Sequence, residues 1–196
     1  LLITKAGPGR AMGVLTGAAT DSAGNIYVAD VGRKVIHSWT ATGQWRFDIG
    51  PEPIRGDLRG VAIDEELGRI YLSDAVFGGI RYFDLEGNYQ GVISQLGLED
   101  GEFTDGARQI VVTPDHHIYG ADYGSFRVQE FLPDGTFVKL FPNPAMRPDP
   151  AGISQARGLD VDPVTGDVLT VDAFGQRVNR YAATGELLDQ YGRRGS

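Results

Sequence analysis

The chain repeats itself four times, and that constrains its fold more than any other feature. Gly24-Asn25-Ile26-Tyr27-Val28-Ala29-Asp30 is echoed by Gly68-Arg69-Ile70-Tyr71-Leu72-Ser73-Asp74, by His116-His117-Ile118-Tyr119-Gly120-Ala121-Asp122 and by Gly166-Asp167-Val168-Leu169-Thr170-Val171-Asp172. An aromatic stands nine residues past each closing Asp (Trp39, Phe83, Phe131, Tyr181), and a Gly stands thirteen past it (Gly43, Gly87, Gly135, Gly185). The intervals between the four Asp residues are 44, 48 and 50, so only the linkers vary. Such a unit is one supersecondary element that buries its apolar faces only by stacking on its neighbours.

Each unit reads as four strands. A short apolar run comes first, at 18–20, 61–63, 110–112 and 159–161, and the repeated string follows as the second strand. Val35 to Trp39 and its counterparts form a third, and Ala41-Thr42-Gly43, Leu85-Glu86-Gly87, Pro133-Asp134-Gly135 and Ala183-Thr184-Gly185 are turns into a fourth. No segment holds a helical period over three turns. Four short antiparallel strands per ~45 residues predict an all-β fold, a β-propeller in which every sheet is covered on both faces. The predicted blades are 11–50, 54–94, 103–142 and 153–192 of a single domain spanning 1–196.

The string Gly-x-Ile-Tyr-Val-Ala-Asp, a loop, and then Arg-Val-Gln-x-Phe with a turn Gly resembles the NHL repeat, and Asp122 to Phe131 is the nearest copy. The resemblance implies a six-bladed propeller related to interaction modules, gluconolactonase-like and strictosidine-synthase-like hydrolases and peptidyl-amidating lyases. It also implies an Arg five positions after the Asp, present as Arg127 and Arg177 and replaced by Val35 and Gly79. Leu1-Leu2-Ile3 before Gly7-Pro8-Gly9 matches the register of Leu187-Leu188-Asp189 before Gly192 and Gly195, so 1–6 reads as the last strand of a preceding blade. The expectation is an arc of a larger ring, prone to self-association through uncovered blade faces. A closed four-bladed ring is the alternative.

Composition narrows the partners. Twenty-six acids against eighteen bases leave a net charge of −8, which repels nucleic acid unless the bases are segregated on one face. RNA binding, known among NHL relatives, therefore ranks third. The absence of Cys excludes disulfides and thiolate metal sites, and no run approaches the ~20 apolar residues of a membrane helix. Fifteen of the eighteen bases are Arg, a choice suited to planar, directed hydrogen bonding.

Arg59, Arg108 and Arg157 share one position just before the first strand, with Thr16 in the remaining unit. Since first strands line the channel of a propeller, these guanidiniums are expected at one mouth, where they would bind a carboxylate or phosphate. The reading favoured over this ligand site is a structural ring in which each Arg pairs with an Asp next door. Asp30, Asp74, Asp122 and Asp172 recur without exception, which favours a structural turn that accepts loop N–H groups over a ring of cation ligands. Departures from the repeat are better candidates for chemistry. Asp160 replaces Ala19, Ala62 and Val111 inside a channel-facing strand, two residues from Asp162, and burial there would raise its pKa. It is the candidate catalytic carboxylate and, with Asp162, the candidate ligand of Ca²⁺ or Zn²⁺. His116 and His117 are adjacent on a hairpin and diverge, while His37 occupies a tolerant polar position shared with Arg81, Gln129 and Asn179. The Pro-rich stretch from Leu140 to Ile153 reads as a long linker, with a lid as the alternative.

The leading expectation is a non-catalytic binding or scaffold module for a protein, peptide or small anionic ligand. The runner-up is a metal-assisted hydrolase or lyase.

Overall fold

The computed structural model describes residues 11–50, 56–142 and 153–192. The proposed strand at 1–6 and most of the Pro-rich linker lie outside the described residues. Four sheets of four antiparallel strands follow one another in chain order, each with its strands in sequence order. Blade 1 comprises β1 (Leu15–Thr20), β2 (Ile26–Asp30), β3 (Val35–Trp39) and β4 (Trp45–Ile49), and blade 2 comprises β5 (Leu58–Asp64), β6 (Arg69–Asp74), β7 (Gly79–Asp84) and β8 (Tyr89–Val92). A two-stranded parallel pair, β9 (Gln95–Leu96) with β10 (Glu102–Phe103), links blade 2 to blade 3. Blade 3 holds β11 (Ala107–Val112), β12 (Ile118–Asp122), β13 (Arg127–Phe131) and β14 (Phe137–Phe141), and blade 4 holds β15 (Ala156–Val161), β16 (Val168–Asp172), β17 (Arg177–Tyr181) and β18 (Leu187–Tyr191). Among the described residues no helix is long and apolar enough to cross a membrane.

Alternation along the second strand of each blade makes the stack. In β6, Ile70 and Leu72 pack back onto Tyr27, Ala29 and Ile36 of blade 1, while Tyr71 turns forward to Ile110 and Ile118 of blade 3. Tyr119 and Ala121 of β12 in turn face Leu159 and Val168 of blade 4. Side chains on both faces of a strand are buried because a blade lies on each side of it. The three apolar clusters correspond to the three blade interfaces. The outermost faces lack such cover among the described residues: Ile26 is 36% exposed where Ile70, Ile118 and Val168 are fully buried, and Val171 is 45% exposed where Ala29 and Ala121 are fully buried.

The innermost strands β1, β5, β11 and β15 pack successively against one another around the axis. Each begins earlier than the sequence suggests and carries a bulge near its start. Arg59, Arg108 and Arg157 are therefore the second residues of their strands, inside the bulge, rather than residues that precede it. The bulge kinks each strand toward its neighbour. Thr16 Oγ1 donates to the Leu58 carbonyl at 2.7 Å, Ser73 Oγ donates to the Arg108 carbonyl at 3.1 Å, and the Leu159 N–H donates to Gln109 Oε1 at 3.1 Å. A side chain has little room at these approaches. A Cβ on Gly60 would lie 3.0 Å from the Arg108 carbonyl oxygen and 3.1 Å from the Ile110 nitrogen.

Gly60→Ala is expected to cost about 2 kcal/mol, because backbone of the adjoining blade would have to shift. Gly43→Ala, at a positive-φ turn with open space around it, is expected to cost about 1 kcal/mol from conformation alone. Urea denaturation of both variants checks the order; equal costs would contradict a tight inner seam.

Candidate functional site

The second strand of each blade ends at the same mouth where the first strand begins. The bulges and the loops after β2, β6, β12 and β16 therefore frame one opening. It forms a cavity of about 520 Å³ lined by Thr16, Arg59, Arg108, Gln109 and Arg157 together with backbone of the inner strands. The three arginines thus converge as their common register requires. Their anchors are not the neighbouring-blade carboxylates that a structural ring would need. Arg59 pairs with Asp57 and Arg108 with Asp105 at 3.6 Å, while Arg157 Nε donates to the Gln155 side-chain oxygen at 2.9 Å, all within the same blade. Among the described residues the Nε groups of Arg59 and Arg108 are buried without a hydrogen-bond partner.

Behind this mouth the four recurring carboxylates do one job. Asp30, Asp74, Asp122 and Asp172 are fully buried, and each accepts a backbone N–H from the loop that follows: Arg33 at 3.0 Å, Val76 at 3.2 Å, Ser125 at 3.3 Å and Gly175 at 3.0 Å. Three of them also accept an N–H from the segment leading into the blade, from Gly13 at 2.7 Å, Thr104 at 3.3 Å and Gln155 at 3.0 Å. One residue therefore fixes two loops of the mouth. Each carboxylate also has a basic side chain beside it. Arg127 and Arg177 lie 3.2 Å from Asp122 and Asp172. In blades 1 and 2, which lack that Arg, the basic partner comes from two residues further on: His37 Nε2 is 3.2 Å from Asp30 and Arg81 Nε is 3.6 Å from Asp74. His37 is consequently not in a tolerant position but between two carboxylates, with Nδ1 2.8 Å from Asp48.

Asp160 does not occupy a buried site. It is exposed, and its carboxylate accepts the Val161 N–H at 2.9 Å. Asp162 lies in the β15–β16 turn, where the Val164 and Thr165 N–H groups hold its carboxyl below the usual range. His116 reaches Asp64 of blade 2 at 2.9 Å, and His117 reaches Glu130 at 2.6 Å, so the pair diverges onto separate partners. Among the described residues no group of three His, Cys, Asp or Glu side chains is placed to hold a metal ion. Asp160 and Asp162 belong to no such group among the described residues. The cationic mouth also contains a residue that the sequence does not single out: Tyr123, whose ring lies 4.1 Å from the Arg108 guanidinium and 5.7 Å from that of Arg157.

No family model matches the chain and no curated protein matches it. Among solved structures it is similar to a streptogramin B lyase, with TM-score 0.69 and 16% identity over 92% of this chain and 55% of that one. A catalytically inactive virginiamycin B lyase from Staphylococcus aureus with quinupristin gives TM-score 0.70 and 15% identity over 93% and 56%. A nidogen/laminin complex gives 0.67 and 17% over 91% and 80%. The fold is that of a β-propeller. The chain spans about half the length of the two lyases, and identities this low show the fold alone.

The carboxylates behind the mouth respond oppositely to acid. Burial raises the Asp172 carboxyl, but donors from Ser154, Gly175 and Gln155 outweigh it and hold the group below its ordinary value of 3.8. For Asp122 burial prevails over Arg127 and the loop N–H groups, and the value is raised. A depressed group contributes stability above its unfolded pKa and loses it as pH falls through the folded value; a raised group does the reverse, losing its contribution as pH rises through the folded value. Asp172→Asn should therefore destabilise at pH 7, by about 1–3 kcal/mol, and flatten the fall in stability between pH 5 and 3. Asp122→Asn should cost less at pH 7 and make the acid limb steeper than in the parent, because a contribution that grows on acidification has been removed. Thermal melts across that range decide between these slopes.

Proposed function

We propose that this chain is an NHL-type propeller module that binds a carboxylate- or phosphate-bearing ligand, whether small molecule, peptide or protein, at the mouth lined by Arg59, Arg108 and Arg157. The observation that carries the reading is the convergence of three arginine side chains and the Gln109 amide on one cavity at the mouth. An oxyanion supplies acceptors for such donors, and the planar fork of Arg suits it. Propellers of this shape include one solved with quinupristin and one in complex with laminin, so small-molecule and protein ligands both suit the architecture. The uncovered faces of blades 1 and 4 fit a ring with further blades, six in the NHL pattern, around the same axis.

The second reading is a metal-assisted hydrolase or lyase, of which the two lyases of this shape support only the lyase half. In this chain it would rest on Asp160 and Asp162, which do not converge with other ligands among the described residues.

The triple variant Arg59→Gln, Arg108→Gln, Arg157→Gln should lose binding of inorganic phosphate and of succinate by more than about tenfold. Its melting temperature should stay near that of the parent, since none of the three belongs to the apolar clusters. Calorimetric titration measures the loss. Undiminished anion binding would remove the reading, and stoichiometric Ca²⁺ or Zn²⁺ in the purified protein, with turnover lost on Asp160→Ala, would establish the second.

A further inference from the structure

We infer that the anion seat is asymmetric: it lies at the boundary of blades 3 and 4, between Arg108 and Arg157, and Tyr123 positions the two guanidiniums that form it. The inference rests on the anion-binding reading above and goes further by assigning the seat to one side of the mouth.

Three observations converge on that side. The first is charge compensation. Arg59 is closed by Asp57 in a direct ion pair, so its charge is largely cancelled where it stands. Arg108 has only the exposed Asp105 at 3.6 Å, too far for a hydrogen bond. Arg157 leans on a neutral amide oxygen, that of Gln155, and among the described residues no carboxylate lies within ion-pair distance of it. Positive charge left over at the mouth is thus concentrated on blades 3 and 4.

The second observation is the shared ring. Tyr123 is the first residue after β12, where the other blades have Val31, Ala75 and Ala173, so blade 3 alone places an aromatic at this point of the repeat. Both guanidiniums lie within the ~6 Å over which a ring face attracts a cation. Two like charges gathered at one ring repel each other, and an oxyanion between them turns that repulsion into a clamp. The ring fixes the gap, which makes Tyr123 a positioning residue.

The third is Gln109. It follows Arg108 in the position that Gly17, Gly60 and Gly158 occupy elsewhere, and it lines the cavity. Its side-chain oxygen is committed to the Leu159 N–H of blade 4, so the end of the amide left for a ligand is its NH₂ donor. Only at this boundary does a third directed donor join two guanidiniums. The chemistry recognised is a compact oxyanion, a carboxylate or a phosphate.

The test is calorimetric titration of the whole chain with inorganic phosphate and, separately, with succinate, each sample paired with a thermal melt. Arg157→Gln should weaken binding about tenfold and Arg59→Gln by less than about twofold. Tyr123→Phe keeps the ring and should bind as the parent does, whereas Tyr123→Leu, which fills similar space without a π face, should lose about two- to fivefold. A purely packing role for Tyr123 would make Leu and Phe equivalent and would overturn its assignment. Equal losses in Arg59→Gln and Arg157→Gln would overturn the asymmetry while leaving the anion-binding mouth intact. A parent chain that binds neither probe would remove both readings together. Should Leu at 123 unsettle the loop, the Tyr123 ring resonances, assigned with Tyr123→Phe, give an independent readout. They should shift when phosphate is added to the parent and stay still in Arg157→Gln, and a ring that stays still in the parent while phosphate binds would refute the seat.

Discussion

The mouth depends on a buried carboxylate in each blade that has to be neutralised where it stands. A fully buried anion is tolerated only when hydrogen bonds and a cation replace the water it has lost. Asp122 meets this with Thr104, Ser125 and Arg127, and Asp172 with Ser154, Gln155, Gly175 and Arg177. The partners come from the loop before the first strand and from the loop after the second. Satisfying the charge therefore fixes the backbone that carries the arginines. Structural and functional layers of the mouth are distinct sets of residues, one buried and repeated, the other cavity-lining and varied.

Local spacing made the blades legible. Gly43, Gly87, Gly135 and Gly185 all have positive φ, and the aromatics four residues before them are buried, so a fixed offset in sequence maps onto a fixed place in the fold. The convergence of Arg59, Arg108 and Arg157 was legible for the same reason, since equal register in successive blades means equal height on the axis. Compensation was not. His37 and Arg81 sit where blades 3 and 4 have Gln129 and Asn179, and nothing in the string reveals that they take over from the Arg missing at Val35 and Gly79. Compensation is visible only when Asp30 and Asp74 are seen to need a cation. Tyr123 was hidden differently: it occupies a loop position with no repeat consensus, and its meaning comes from two arginines, one of them 34 residues away in the next blade. Asp160 lies exposed in the channel-facing strand, so a break in the repeat does not by itself imply burial.

His116 shows how a repeat can be broken at a turn and repaired across a blade. It adopts φ +68 where the other blades have Gly24, Gly68 and Gly166. A non-glycine residue there costs about 1 kcal/mol in backbone energy. The imidazole then reaches Asp64 and approaches Glu66 of blade 2, and the Ser22 hydroxyl reaches Glu65 from blade 1 at 2.5 Å. These contacts join three successive blades at the end of the axis opposite the arginines.

The axis is therefore polar. One end gathers Arg59, Arg108 and Arg157, and a cavity of about 460 Å³ near the other is lined by Asp64, Glu65, Glu66 and His116. A net charge of −8 would by itself repel an anionic ligand at long range. Within a Debye length of about 8 Å at physiological ionic strength, however, the local sign outweighs the total. On the proposed reading, segregation along the axis would give the arginine mouth a local positive sign in an acidic protein and turn a diffuse repulsion into selection for anions small enough to enter it. A polyanion such as RNA, spread across the surrounding acidic surface, meets the net charge; a single carboxylate or phosphate that enters the mouth meets the arginines.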